Sequence, residues 1–152
     1  FTLTTLGADG PELVTLSEET AGSKTVLLFV PMAFTRVCTE ELCAVTQGLN
    51  DYTELGAKVL GVSGDNPFAQ AAWAEKEGIG ITLLSDYEHE AAKAFGVAYE
   101  SFLPDKNLTM GGVPKRSAFV IDGKGIVQYA EVNDNPGDLP NFDAIKETLK
   151  SL

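Results

Sequence analysis

Two apolar runs constrain this chain more than any other feature. Thr25–Val30 (TVLLFV) and Lys58–Ser63 (KVLGVS) are short, bounded by turn signals and rich in β-branched residues. Such runs fit strands covered on both faces, because a strand with one face in water would alternate apolar with polar residues. Strands of that kind need helices above and below, and the intervening segments carry helix signals. Cys38–Leu49 places Leu42, Val45 and Leu49 at helical spacing, with Glu40 and Glu41 expected in the first turn, where they would complement the macrodipole. Asp65-Asn66-Pro67 announces a helix running to about Lys76, and Leu83–Leu84 makes a short strand. Ser85 or Asp86 then caps a helix reaching Phe95.

The ends of the chain are simpler. Phe1–Leu3 and Leu13–Thr15 read as strands around the turn-rich Gly7–Pro11, and Ser101–Lys115 reads as loop. Ser117–Asp122 and Ile126–Glu131 flank Gly123-Lys124-Gly125 as a hairpin. Asn141–Leu152 closes as an amphipathic helix with Phe142, Ile145, Leu149 and Leu152 on one face. Strands, then alternating strand and helix, then a hairpin and a terminal helix predict one three-layer α/β/α domain over residues 1–152, with a mixed central sheet.

At 152 residues the chain is long enough to bury about two-thirds of its unfolded surface, so its core needs no disulfide staples. Its net charge of −11 would repel a polyanion, so no nucleic-acid partner is expected. No apolar run approaches the roughly 20 residues of a membrane helix, so no membrane partner is expected either. No signal peptide is visible, although the chain begins at Phe1 rather than Met and could have been trimmed. The two cysteines do not make the framework of a small secreted protein, and a reducing, cytoplasmic setting such as a bacterial cytosol is the expectation.

Both cysteines, Cys38 and Cys43, stand in PMAFTRVCTEELC at residues 31–43. Structural zinc takes four Cys or His ligands, and the chain adds only His89, on another predicted helix; no metal is expected. Residues five apart on a regular helix are separated by about 7.5 Å of rise and roughly 140° of rotation, which puts their Cα atoms roughly 8–9 Å apart. Disulfides seldom span more than about 7 Å. The thiols therefore cannot bond while the helix is intact. Cys38 sits where strand gives way to helix, where orphan N–H groups and the positive dipole end stabilise a thiolate. It reads as a reactive thiolate or as a small buried hydrophobe.

The pattern Pro31-x-x-x-Thr35-x-x-Cys38, after a buried strand and at a helix start, resembles the peroxiredoxin active-site motif. Glu41 matches a position often acidic or amide-bearing in that family. FTL, VLGVSGD, Trp73, LLSD, AFGV and VPKRSAFVIDGKGIV are similar to family segments in the same order, and the last carries Arg116 about 80 residues beyond the cysteine. PMAFT and QYAEV look most like the alkyl hydroperoxide reductase E type, whereas the Cys38–Cys43 spacing is that of the bacterioferritin comigratory, or Q, type.

The resemblance implies a thioredoxin-like fold and a thiol peroxidase acting on hydrogen peroxide or organic hydroperoxides, without a cofactor. Cys38 would be the nucleophile. Thr35 would accept a hydrogen bond from the peroxide and donate toward the thiolate. Arg116 would stabilise the thiolate and bind the peroxide oxygens, and Pro31 would shield the pocket. The N–H groups of Val37 and Cys38 would complete the donors. Cys43 would resolve the Cys38 sulfenic acid as an intramolecular disulfide if the helix opens, and a thioredoxin- or glutaredoxin-like dithiol would recycle it. A homodimer is implied in the same way.

Other readings stand beside these. Thr35 reads as a helix N-cap, Arg116 as an edge charge, Pro31 as a strand terminator and Glu41 as a first-turn residue. Phe34 and Trp73 read as packing, and Arg36 and Lys115 as surface charges. At the level of function the alternatives are a one-cysteine peroxidase, a peroxide sensor or relay, and a binding domain with incidental cysteines. A thioredoxin-like oxidoreductase would want Cys-x-x-Cys, which is absent.

Overall fold

A computed structural model describes residues 1–152. Seven strands form one mixed sheet: β1 (Thr2–Gly7), β2 (Gly10–Thr15), β3 (Lys24–Phe29), β4 (Ala57–Ser63), β5 (Thr82–Ser85), β6 (Arg116–Ile121) and β7 (Val127–Asn133). Their order across the sheet is β2-β1-β5-β4-β3-β6-β7. The β3, β4 and β5 ladders are parallel, and the outer pairings are antiparallel. The helices are α1 (Leu16–Glu19), α2 (Arg36–Gln47), α3 (Leu49–Glu54), α4 (Pro67–Glu77), α5 (Glu90–Ala94) and α6 (Phe142–Lys150). No helix is long and apolar enough to cross a membrane.

The two-sided burial expected of β3 is observed, and it divides the core in two. Val26, Leu28 and Val30 point into a cluster with Leu42 and Val45 of α2, Trp73 of α4 and Ile145 and Leu149 of α6. Leu27 and Phe29 point the other way, into a cluster with Ala91 and Ala92 of α5, Phe119 and Ile121. The period-2 alternation of a strand assigns these sides. Phe119 meets Phe29 and Phe95 edge to face there, Phe29 and Phe95 are tilted to each other, and the ring centroids lie 4.9–6.0 Å apart.

Several local expectations change. The helix holding both cysteines starts at Arg36, two residues before Cys38, and ends at Gln47, where Gly48 turns the chain into α3. Glu40 and Glu41 therefore lie beyond the first turn. The helix expected up to Phe95 is one short turn, Glu90–Ala94. Asp86 does cap it, but from four residues upstream: its two carboxylate oxygens accept from Ala91 N at 3.0 Å and Ala92 N at 2.9 Å. Asn66 and Asn141 cap α4 and α6 from the N-cap position. Leu152 lies beyond the end of α6 and is exposed, so it does not extend the apolar face of that helix.

The topology that matters for chemistry is at the C-terminal end of β3. The parallel β4 carries the chain to the same end, and β6 runs antiparallel to β3 with Phe29 opposite Ser117. Arg116, the first residue of β6, therefore lies beside the point where β3 gives way to the loop before α2.

Candidate active site

Pro31 is buried and lies two residues beyond the end of β3. The chain then turns through Phe34, which adopts φ 65°, a left-handed conformation that a bulky residue holds only under constraint. Thr35 occupies the N-cap position of α2, and Cys38 is the third helical residue. The Cys38 side chain is 1% exposed and both cysteines are free thiols.

Arg116 organises the site. Its Nη2 donates to Cys38 Sγ at 3.3 Å, and its Nη1 donates to Glu41 Oε2 at 2.6 Å. Nε and Nη2 also donate to the Pro136 carbonyl, at 3.2 and 3.0 Å. Arg116 is 1% exposed and Glu41 is fully buried, so this ion pair is shielded from water. Arg116 is thus no edge charge. Its guanidinium is a fork held by a carboxylate and a carbonyl, with one arm left for sulfur. Burial alone would lower its pKa, but Cys38 and Glu41 more than reverse that and raise it.

Glu41 is not the first-turn residue of the alternative reading: it lies in the second turn of α2 and is buried. Three residues after Cys38, it lies on the same face of α2, which is a signal a sequence can show. Its burial is not such a signal. Burial raises the Glu41 carboxyl to about 7; Arg116 opposes the rise and Glu131 adds to it. Oε1 has no hydrogen-bond partner. Between pH about 4.5 and 7 the folded protein holds a proton that the unfolded chain has released, so this group's contribution makes stability fall as pH rises through that window. The size is about 3 kcal/mol. Urea unfolding at pH 5 and pH 8 should show that slope, and Glu41→Gln should remove it; equal slopes in the two proteins would refute the assignment.

The remaining predicted residues fall as follows. The Thr35 hydroxyl donates to the Met32 carbonyl at 2.7 Å, so it neither caps the helix nor donates toward Cys38. The local turn brings the carbonyl within its reach, and an oxygen outcompetes a sulfur as acceptor. Its lone pairs remain for accepting. The Val37 and Cys38 N–H groups, in the first turn of α2, find no acceptor in the chain. Cys43 lies further along α2, half-buried, with Sγ 3.5 Å from the Glu77 carbonyl. Burial pushes its pKa up, and Glu77 adds to that.

Trp73 is fully buried, as packing should be, but Phe34 is 52% exposed because the left-handed turn lifts it off the core. Arg36 pairs with Glu40 and Lys115 with Asp134 at the surface. His89 precedes α5, and no cluster of His, Cys, Asp and Glu is placed to hold a metal ion. An open cleft of about 400 Å³ lies between β1, β5 and α4 and includes none of these residues.

The chain matches the AhpC/TSA family over residues 1–130 and belongs to that family, the peroxiredoxins. It is 36% identical over 122 residues to peroxiredoxin TSA1 of Saccharomyces cerevisiae, covering 76% of this chain and 58% of that protein. It is also 36% identical over 131 residues to the chloroplastic peroxiredoxin Q of Triticum aestivum, covering 86% of this chain and 55% of that one. The chain thus spans between half and two-thirds of the length of these relatives. Among solved structures it is similar to reduced Prx3 of Vibrio vulnificus in complex with hydrogen peroxide, with a TM-score of 0.83 and 27% identity over 97% of this chain and 92% of that one. The thioredoxin-like α/β fold implied by the sequence resemblance is the fold found.

Proposed function

We propose that the chain is a thiol-dependent peroxidase whose nucleophile is Cys38. The observation that carries this reading is the Arg116 donor 3.3 Å from Cys38 Sγ in a site closed to water. A buried guanidinium stabilises the thiolate and then the negative charge that moves onto the leaving oxygen. The thiolate attacks one oxygen of ROOH. An S–O bond forms, the O–O bond breaks, and the products are Cys38 sulfenic acid and an alkoxide or hydroxide, which takes a proton from solvent. The free N–H groups of Val37 and Cys38 add donors for the peroxide, and the Thr35 oxygen is open to accept its O–H. Pro31 keeps water from the sulfur. Hydrogen peroxide and organic hydroperoxides are the substrate class, and the Vibrio neighbour was solved with the former.

Cys43 is the proposed resolver. Its thiol condenses with the sulfenic acid to give a Cys38–Cys43 disulfide and water, and a thioredoxin- or glutaredoxin-like dithiol returns both cysteines to thiols while becoming a disulfide itself. This cycle suits a reducing compartment such as the cytoplasm, and a homodimer is compatible with it. Both thiols lie within α2, so the bond requires the first turns of that helix to unwind. Cys43→Ser should abolish turnover with a dithiol reductant by at least about tenfold while leaving the first oxidation intact, read as loss of one thiol per equivalent of peroxide. Unchanged turnover would make the protein a one-cysteine peroxidase, and oxidation without turnover in the wild type itself would make it a sensor.

A further inference from the structure

Resolution by Cys43 raises the question of what keeps the start of α2 closed until Cys38 is oxidised. Apart from Arg116, and beside the packing of Phe34 against Trp73 and Lys76, the segment from Met32 to Thr39 is tied to the rest of the fold by side-chain hydrogen bonds at two points. Ala33 N donates to Asp65 Oδ2 at 2.8 Å. Trp73 Nε1 donates to Thr39 Oγ1 at 3.0 Å, and that hydroxyl donates to the Thr35 carbonyl at 2.8 Å. Asp65 and Trp73 belong to one unit, the turn after β4 and the helix α4 that follows it.

Asp65 is itself held from several sides. Ser63 Oγ donates to the same Oδ2 at 2.8 Å, and Ser85 Oγ donates to the Asp65 carbonyl at 2.6 Å. The Ser63 hydroxyl in turn accepts from Gln70 Nε2 at 2.9 Å, and Nε2 reaches the Leu84 carbonyl at 2.9 Å. Ser63, Ser85 and Gln70 are buried. The sheet and α4 thus aim one carboxylate oxygen at one N–H of the loop before the cysteine. Asp65 is hydrogen-bonded to neither Cys38 nor Arg116, so it has no direct part in the peroxide chemistry proposed above. A charged acceptor makes a stronger hydrogen bond than a carbonyl, and the bond sits where the loop must hinge if α2 unwinds.

We propose that Asp65 is a positioning residue: a latch that holds the loop before Cys38 closed and thereby sets how fast oxidised Cys38 reaches Cys43. This rests on the peroxidase reading above. Two fates compete for the sulfenic acid. Condensation with the Cys43 thiol gives the disulfide and water; attack on a second peroxide gives the sulfinic acid and an alcohol. A tight latch favours the second fate at high peroxide, and a loose latch favours the first.

The first test needs no peroxide. Hydrogen exchange of the reduced protein should show residues 31–38 exchanging on the order of ten- to a hundredfold faster in Asp65→Ala, with β3 and β4 unchanged. Asp65→Asn keeps an acceptor without the charge, so it should fall between; if the alanine variant does not fold, the asparagine variant carries the test. No change at 31–38, or an equal rise throughout the fold, would overturn the latch. In the second test one equivalent of peroxide is added and the Cys38–Cys43 disulfide is timed by mass spectrometry. It should form several-fold faster in Asp65→Asn, with less sulfinic acid at excess peroxide. Faster exchange with an unchanged disulfide rate would overturn the coupling. A wild-type protein that forms no disulfide would sink the resolving role of Cys43 instead, while the exchange result still decides the latch.

Discussion

Arg116→Met should slow the reaction of the reduced protein with peroxide by about 10²–10³-fold, the usual cost of removing a donor from a site of developing charge. The same change should destabilise the fold, by about 3–5 kcal/mol where Glu41 is ionised, because it leaves a buried carboxylate without its partner. Losing Arg116 removes the group that opposes protonation of the Glu41 carboxyl, so the variant takes up that proton more readily than the wild type and the destabilisation should shrink as pH falls. These two effects separate in the double variant. Glu41→Gln combined with Arg116→Met removes the orphaned charge, so stability at pH 8 should largely return while the peroxide rate stays low. Stopped-flow oxidation and urea unfolding at pH 5 and 8 read the two quantities. If Arg116→Met reacts with peroxide at the wild-type rate, the guanidinium is a structural element only.

Cys38→Ser should reduce peroxide consumption by on the order of 10³-fold or more, because a serine hydroxyl is not ionised near neutral pH and no other nucleophile sits under Arg116. The substitution is close to isosteric, and an oxygen can still accept from the guanidinium, so the fold should be retained. Peroxide consumption with a dithiol reductant measures the loss, and the near-native unfolding midpoint shows that it is chemical. Activity surviving in Cys38→Ser would remove the whole assignment. Trp73 provides a further check, since its indole bonds to Thr39 beside the cysteine. Oxidation of the wild type should therefore change the indole fluorescence, and the serine variant should show no such change.

Much of the architecture was legible because its causes are local. The apolar strands, the helix start announced by Asp65-Asn66-Pro67 and the hairpin turn at residues 123–125 act through backbone preferences over a few residues. The misjudged elements are those where a group a few residues outside the helix set where it starts. Asp86 caps α5 from outside the helix, which shortens it, and the start of α2 at Arg36 follows from the turn at Phe34.

The same distinction separates the parts of the site. The chain by itself determines that Cys38 stands at a helix start after a buried strand, with Cys43 too far around the same helix to reach it. That follows from helix geometry alone. Only the tertiary structure decides that Arg116 reaches Cys38, because β6 runs antiparallel to β3 and begins where β3 ends. It also decides that Glu41 is a buried counter-charge and that Asp65 grips Ala33. The Pro136 carbonyl that steadies the guanidinium carries no side-chain signature at all. Contacts between residues 75 and 78 positions apart depend on how the sheet is ordered, and spacing along the chain does not encode that order.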